Sequence, residues 1–303
     1  MGEINQLKQK IEELKKKLGA VIVAHNYQRP EVQDIADFVG DSLELSRRCT
    51  QVDAEVIVFC GVHFMAETAA ILNPNRSVLL SEARAGCPLA DMITADELRE
   101  WKQKYPEAKV VCYVNSSAEV KAESYICCTS ANGVKVVEQV PSQEILFIPD
   151  RNLGHYISKK TKKKIILYPG FCIVHNRITV EQVKEAKKLH PEAELLVHPE
   201  CQPEVVDLAS AVLSTSQMIR YAKESPRTSF IIGTEEGILH RLRKENPDKS
   251  FYLITDSQSC VNMKRTTLNT LAETMQFRQN EVSVPEEIRV KAKEAVDRML
   301  AVK

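Results

Sequence analysis

The sequence has 303 residues, enough chain to bury a large core and to form two or three domains. Its 41 basic and 41 acidic side chains cancel, so no overall charge attracts it to nucleic acid or to an anionic membrane surface. It has no apolar run of the roughly 18 residues needed to span a bilayer, and the N-terminus has no apolar signal-peptide core. We therefore expect a cytoplasmic protein with neither nucleic-acid nor membrane partners.

The chain opens with an amphipathic helix, because residues 3–18 repeat apolar side chains at spacings of three and four until Gly19. Short β-branched runs follow, and we interpret them as eleven strands at 20–26, 54–61, 77–83, 109–115, 124–130, 144–150, 164–170, 193–200, 211–216, 229–235 and 251–257. Charged helical segments lie between them, the clearest at 94–108, 179–193 and 234–248. This alternation predicts an α/β fold with mainly parallel sheets.

The strands fall into three groups, each of a length that suits a compact α/β unit rather than one large barrel. One stretch repeats between groups: HPEAELLVHPEC resembles YPEAKVVCYVNSS in its helix end, Pro-Glu-Ala turn and strand. Two explanations stay open here, a true triplication and the general pattern of βαβ folds.

Reactive side chains follow several strands, where ligands of parallel α/β folds bind. The first strand runs into His25, Asn26 and Tyr27, and others end at Tyr113 with Asn115 and at His198 with Glu200. Further strand ends carry hydroxyls and an acid that caps and turns would also explain: Thr129, Ser130, Ser214, Thr215, Thr255 and Asp256. For His25 and His198 we favour a functional role over a structural one. His175 stays open, and the remaining histidines are expected to be structural.

The nine cysteines divide by their surroundings. Those in apolar runs or a helix are expected to be core residues: Cys49, Cys60, Cys112, Cys127 and Cys128. Polar or glycine-bearing contexts surround Cys87, Cys172, Cys201 and Cys260. The intervals 172 − 87 = 85 and 260 − 172 = 88 match the unit length, so three equivalent loops would meet on one axis, whereas Cys201 breaks the interval.

Three converging thiolates suggest a soft metal centre, either zinc with an open fourth position or a [4Fe-4S] cluster with one open iron. No C-x-x-C motif supports either choice, so three unrelated free thiols remain an alternative at this point. The same intervals suggest domain boundaries, with residues 1–87 plus 261–303 as one α/β unit, 88–172 as the second and 173–260 as the third.

A series of motifs runs along nearly the whole chain in a specific order: AHNYQ (24–28), GDSLELS (40–46), AGCPLADM (85–92), YVNSSAEVKAES (113–124), CTSANG (128–133), PDRNLG (149–154), GFCIVH (170–175), VHPEC (197–201), STSQM (214–218), GTEEGILHRL (233–242) and CVNMK (260–264). With this series the chain resembles the quinolinate synthase (NadA) family. The resemblance implies three similar three-layer α/β/α units in pseudo-threefold arrangement around a central active site. It also implies a [4Fe-4S] cluster held by Cys87, Cys172 and Cys260.

The implied reaction condenses iminosuccinate (iminoaspartate) with dihydroxyacetone phosphate to quinolinate, phosphate and water in de novo NAD biosynthesis. An imine-producing aspartate oxidase or dehydrogenase is the implied functional partner. The open iron would act as a Lewis acid, and the needed proton transfers suit five side chains: His25, Tyr27, Tyr113, His198 and Glu200. By resemblance, the substrate anions and intermediates contact His25, Ser42, Tyr113, Asn115, Ser130, His198, Glu200 and Thr215.

Two rival functions keep the same three cysteines. One is a zinc-dependent aldolase or lyase that acts on sugar phosphates. The other is an iron-sulfur sensor without catalytic activity, which leaves the histidine, tyrosine and glutamate strand ends without a task and lacks a nucleic-acid-binding motif.

Overall fold

The computed structural model describes residues 2–302. Its strands are β1 (Ala20–His25), β2 (Phe38–Gly40), β3 (Val56–Cys60), β4 (Ser77–Leu80), β5 (Lys109–Tyr113), β6 (Ile126–Cys128), β7 (Glu144–Ile148), β8 (Lys164–Leu167), β9 (Glu194–Val197), β10 (Ala211–Val212), β11 (Ser229–Gly233) and β12 (Ser250–Leu253). The α-helices are α1 (Gly2–Leu18), α2 (Pro30–Ile35), α3 (Ser42–Gln51), α4 (His63–Leu72), α5 (Ala95–Lys104), α6 (Ala118–Ala122), α7 (Gly133–Gln139), α8 (Arg151–Ser158), α9 (Val180–Leu189), α10 (Pro203–Val206), α11 (Thr215–Glu224), α12 (Ile238–Glu245), α13 (Leu268–Phe277) and α14 (Glu286–Ala301). Three short 3-10 helices cover Ala90–Met92, His175–Arg177 and Met263–Arg265.

The strands form three four-stranded parallel sheets with one shared topology. The first unit has the order β2-β1-β3-β4, the second β6-β5-β7-β8 and the third β10-β9-β11-β12. In each unit the second strand of the chain is an edge strand beside the first, and the third and fourth strands extend the other side. The predicted α/β fold of three similar units with parallel sheets is confirmed.

All eleven predicted strands are present, and the sequence analysis missed only β2 among the strands of the described residues. This strand has three residues, Phe38–Gly40, of which one is β-branched, and it pairs with β1 at the sheet edge. A segment this short has no alternation or apolar run to detect, so its pairing partner decides its conformation.

Helices cover both faces of the first sheet, which makes it the middle of three layers. Along β1, Val21 and Val23 pack in one core, while Ile22 and Ala24 pack in another. Helices α3 and α4 pack on β1 and β4 on one side, and α1 and α13 contact the same two strands on the other. The period-2 alternation of side chains thus buries both faces of an apolar strand.

The C-terminal helix α14 joins two units, because it packs against α6 and β6 of the second unit and against α4 of the first. Its contact residues include the buried Ala292, Ala295, Val296 and Met299. The domain boundaries inferred from the sequence stay a prediction. Within residues 2–302, the structure has no helix with the length and apolar character to cross a membrane.

Candidate active site

Two site positions recur at the end of the first strand of each unit. The registers pair Ala24 with Cys60, Cys112 with Ile148 and Val197 with Gly233, so the first members of these pairs occupy equivalent places. The next residue in each unit is a candidate site residue, namely His25, Tyr113 or His198. Two residues further along come Tyr27, Asn115 and Glu200.

A third position follows the edge strand. The residues paired with Ala24, Cys112 and Val197 across the edge are Val39, Cys127 and Val212. Three residues after each of these come Ser42, Ser130 and Thr215. Hydroxyls therefore stand at the same point of all three units, although the surrounding motifs GDS, TSA and STS differ.

The fourth position is the cysteine. Cys87, Cys172 and Cys260 each precede a 3-10 helix by three residues, and their carbonyls accept the N–H four residues on, at 3.2 Å from Asp91, 2.9 Å from Asn176 and 3.1 Å from Lys264. Seven residues after each cysteine a threonine opens the next helix with a capping box, at Thr94, Thr179 and Thr267. This repetition of one turn and one cap favours three copies of a unit over the general pattern of βαβ folds.

All twelve residues of these four positions line one cavity between the three units. They are the twelve site residues that the sequence analysis proposed, and the structure brings every one of them together. The cavity lies where the carboxyl ends of the three parallel sheets converge, as expected for ligand binding in this fold class. Their individual roles stay predictions.

The three cavity cysteines differ from the others in exposure. They are half-buried, whereas Cys49, Cys60, Cys112, Cys127, Cys128 and Cys201 are buried. Cys201, whose role the sequence left open, donates its thiol to the Gly233 carbonyl at 3.4 Å and so has a structural partner.

The donor set of the cysteines fits a metal centre. Burial raises the pKa of the Cys87 thiol to about 12, and the pKa values of Cys172 and Cys260 are also raised by burial. In all three turns backbone N–H groups of the 3-10 helix oppose that shift, since they favour the thiolate. At Cys260 the Lys264 cation of the same turn also opposes the shift. A metal that displaces the three protons would therefore satisfy them.

Glu200 joins two histidines at the cavity wall. Its Oε2 lies 2.7 Å from Nδ1 of His175 and 3.2 Å from Nδ1 of His198, and the two imidazoles stack with centroids 4.7 Å apart. Burial alone would raise the pKa of the Glu200 carboxyl, but the two imidazoles outweigh burial and hold its pKa well below its usual range. Among the described residues its Oε1 has no hydrogen-bond partner, so this oxygen can accept a proton from a bound molecule.

His175 also lies beside a cysteine. Its Nδ1 is 3.1 Å from the Cys172 sulfur, and the ligand atoms of Cys172, His175 and Glu200 all lie within 4.8 Å of one another. This trio could hold a single divalent ion, but its nitrogen and carboxylate already satisfy each other by hydrogen bonding. The set is therefore better explained as part of the acid-base network than as a separate metal site.

His25 is a neutral hydrogen-bond donor. Its Nδ1 accepts the backbone N–H of Tyr27 at 3.2 Å, which places the ring proton on Nε2. Burial, together with the nearby His198, lowers the pKa of His25 to about 3. The imidazole thus donates to a bound anion without carrying a positive charge.

Tyr27 belongs to a chain of hydroxyls and imidazole. Its phenol oxygen lies 2.5 Å from the hydroxyl of Thr234, which is 2.8 Å from Nε2 of His175. Burial, reinforced by the Glu200 carboxylate, raises the pKa of Tyr27 well above its usual value, so the phenol stays protonated. The same two causes keep Tyr113 protonated by raising its pKa.

Two of the three hydroxyl residues begin a helix. Ser42 is the first residue of α3 and Thr215 the first of α11, so backbone N–H groups at the helix N-termini lie near both hydroxyls. Thr215 accepts from Asn26 at 2.9 Å, and Ser130 lies 3.1 Å from Nε2 of His198. Hydroxyls at helix N-termini suit phosphate and carboxylate groups.

Sequence reasoning missed three residues that support the site, namely Asp150, Thr234 and Glu235. Each follows a strand, Asp150 after β7 and the other two after β11, where the same rule about strand ends applies. The signal was therefore present, but acids and hydroxyls at strand ends also serve as caps, and a buried partner distinguishes the two uses.

The chain is similar to known proteins along nearly its whole length. The profile of the family described as "Quinolinate synthetase A protein" matches residues 9–301. A protein of Dehalococcoides mccartyi (strain CBDB1) named quinolinate synthase is 59% identical over 97% of this chain and 97% of its own. One from Thermodesulfovibrio yellowstonii with that name is 56% identical over 98% of both chains. Quinolinate synthase 1 of Methanosarcina acetivorans is 55% identical over 97% of both chains.

Proposed function

We propose that this chain condenses iminosuccinate with dihydroxyacetone phosphate to form quinolinate, phosphate and water. It belongs to the quinolinate synthetase A family, and the members named above are enzymes of NAD biosynthesis. The observation that supports this activity most is the single cavity into which three cysteines and nine acid-base or hydrogen-bonding residues project. A sensor or a purely structural metal site has no need of the latter set.

Cys87, Cys172 and Cys260 would hold a [4Fe-4S] cluster with one iron that has no protein ligand. When bound, such a cluster supplies a Lewis-acidic iron that polarises a substrate hydroxyl or carboxylate. The half-exposure of these cysteines, in contrast to the six buried ones, supports this use.

Neutral donors bind the substrate anions. Both proposed substrates carry negative groups, a phosphate in one and two carboxylates in the other. The hydroxyls of Ser42, Ser130 and Thr215 and the Nε2–H of His25 donate to anionic oxygens, while none of them adds a charge that would repel an iminium. The low pKa of His25 supports this neutral role across the physiological range.

Glu200 and Tyr27 are the proposed proton carriers. The free Oε1 of Glu200 accepts a proton from a substrate carbon or nitrogen, while Oε2 stays beside the imidazoles of His175 and His198, which orient the carboxylate. Tyr27 is the proposed proton donor, because its phenol stays protonated and can be reprotonated through Thr234 and His175. Tyr113 and His198 lie beside them as a further donor and acceptor.

The imine substrate is unstable in water, so an aspartate oxidase or dehydrogenase that produces it is the proposed functional partner. This proposal rests on the chemistry of the substrate and on the family alone.

Anaerobic purification followed by iron and sulfide analysis tests the cofactor, and incubation with iminosuccinate and dihydroxyacetone phosphate tests the reaction. We expect a brown protein with broad absorption near 400 nm, about four irons per chain, and quinolinate and phosphate in equal amounts. Zinc in place of iron would favour the metal-dependent lyase. A loaded cluster without turnover would favour the sensor.

A further inference from the structure

Two buried carboxylates hold the backbone of two of the three cavity cysteines. Oδ2 of Asp150 accepts the N–H of Cys172 at 3.0 Å, and Oε1 of Glu235 accepts the N–H of Cys260 at 2.9 Å. Asp150 is 0% exposed and Glu235 1% exposed. The two differ in their other contacts, because Glu235 also pairs with Lys264 of the Cys260 turn, whose Nζ lies 2.9 Å from Oε1. Asp150 has the backbone of its two turns as hydrogen-bond partners, and burial raises the pKa of its carboxyl.

The second oxygen of each carboxylate accepts a hydrogen bond from a backbone N–H two or three residues further along the chain. Oδ1 of Asp150 accepts the N–H of Leu153 at 2.8 Å, at the start of α8, and Oε2 of Glu235 accepts the N–H of Gly237 at 2.7 Å. Each side chain therefore clamps the end of its unit's third strand to the cysteine turn that follows the fourth strand. Both oxygens are needed, because one carboxylate bridges two separate backbone segments.

The first unit has the same backbone but lacks the carboxylate. One backbone bond links the equivalent segments in all three units: His63 to Ala85 at 2.8 Å, Arg151 to Gly170 at 2.8 Å, and Glu236 to Gln258 at 2.9 Å. The acceptor in each pair lies two residues before the cysteine. The residue before each donor is Val62, Asp150 or Glu235, so valine occupies the carboxylate position beside the Cys87 turn.

We propose that Asp150 and Glu235 are positioning residues that hold the Cys172 and Cys260 turns in the conformation that receives the metal centre, whereas the Cys87 turn has Val62 at the carboxylate position. The inference rests on the proposed cluster at these cysteines. It concerns the stability of the bound cluster, because partners of metal ligands fix the orientation of those ligands.

Neutral amide replacements test the clamp with little change in shape. In Asp150→Asn or Glu235→Gln, an NH₂ group faces one of the two backbone N–H donors, so one of the two bonds is lost. Glu235→Gln also removes the charge that pairs with Lys264, so Asp150→Asn is the more specific test of the clamp. Two matched controls are available. Val62→Thr changes the equivalent position in the first unit. Ser117→Ala removes the N-cap of α6, which follows β5, whereas the cysteine turns follow β4, β8 and β12, so this control separates loss of a cap from loss of the clamp.

The experiment measures release of iron from the reconstituted, anaerobic full-length protein to a ferrous-iron chelator. We expect release about 10-fold faster in Asp150→Asn and Glu235→Gln than in wild type, with both controls releasing at the wild-type rate. Circular dichroism of every variant checks that the fold is intact. Amide hydrogen exchange of the cluster-free protein supplies a second readout, with faster exchange expected at Cys172 in Asp150→Asn and at Cys260 in Glu235→Gln.

Equal release rates in wild type and in both amide variants would overturn the inference and leave the proposed cluster intact. A wild-type protein that accepts no cluster would overturn the proposed cofactor together with this inference. If Ser117→Ala released iron as fast as Asp150→Asn, general destabilisation would explain the loss and the clamp would be rejected.

Discussion

The hydroxyl of Thr234 lies 2.5 Å from the phenol oxygen of Tyr27, although the two residues are 207 positions apart and belong to different units. Thr234 also reaches His175, so it is the link between the proposed proton donor and the imidazole beside Glu200. Thr234 is fully buried, and the direct distance from the Tyr27 phenol oxygen to Nε2 of His175 is 3.5 Å, longer than either contact through Thr234.

Thr234→Val should reduce the turnover number, since valine keeps the shape of threonine and lacks the hydroxyl. A lost hydrogen bond of about 1 kcal/mol corresponds to roughly a fivefold slower reaction. Steady-state assays of quinolinate formation under anaerobic conditions provide the measurement. Thr234→Ser is the control and should retain most activity. Equal rates for the valine and serine variants would show that the Thr234 hydroxyl does not pass a proton between His175 and Tyr27.

Glu200→Gln should abolish most turnover while the cluster is retained. The amide keeps the size of the side chain but cannot act as a base, and loss of a general base costs about 100-fold or more in rate. Turnover and iron content are measured on the same preparation. Glu204→Gln, an exposed residue on α10, is the matched control. Normal turnover by the Glu200→Gln protein would contradict the assignment.

Gly237→Ala should misplace Tyr27. A Cβ at position 237 would lie 2.6 Å from the backbone oxygen of Tyr27 and 2.7 Å from its carbonyl carbon, so the backbone must move. A displacement of about 1 Å at a reacting group can cost on the order of 100-fold in rate. Lys244→Ala in α12, the helix that Gly237 caps, removes a surface pair with Asp34; it is the control and should keep its activity. Unchanged kinetics in Gly237→Ala would show that the contact is tolerated.

Acid should destabilise the cluster-free protein, because His25 is buried in its neutral form. Its pKa falls from 6.5 in the unfolded chain to about 3 in the fold. Between those values the unfolded chain binds a proton that the folded protein does not, so the free energy of unfolding decreases as pH falls, by up to about 1.4 kcal/mol per pH unit. Urea unfolding at several pH values measures the slope. His25→Asn should flatten it, and an unchanged slope would contradict the burial argument.

Cys87→Ser should prevent stable assembly of the cluster. Serine removes one of three thiolates, and iron per chain should fall from about four to a small fraction of that. Cys49→Ser, at a buried position in α3, is the matched control and should bind iron as wild type does. Iron and sulfide analysis after anaerobic reconstitution measures both. A full cluster in the Cys87→Ser protein would exclude Cys87 as a ligand.

The sequence by itself determined the secondary structure and the composition of the site. Apolar runs and amphipathic segments are local patterns, and they located every described strand except β2, which is too short to carry one. The intervals between Cys87, Cys172 and Cys260 selected the three cavity thiols among nine. Side chains at strand ends supplied the rest except Ser42, because the carboxyl ends of parallel strands are where ligands bind. Ser42 follows the undetected β2 and came only from the family resemblance.

Only the tertiary structure decided which strand ends face one another and which side chains share a proton. Thr234 and Glu235 look like ordinary turn residues until β11 is placed beside Tyr27 and the Cys260 turn. In the sequence Asp150 looks like a helix cap, and only the fold shows that its second oxygen accepts the N–H of Cys172. These contacts join residues that are distant along the chain, so they depend on how three packed units meet, and no local pattern encodes that geometry.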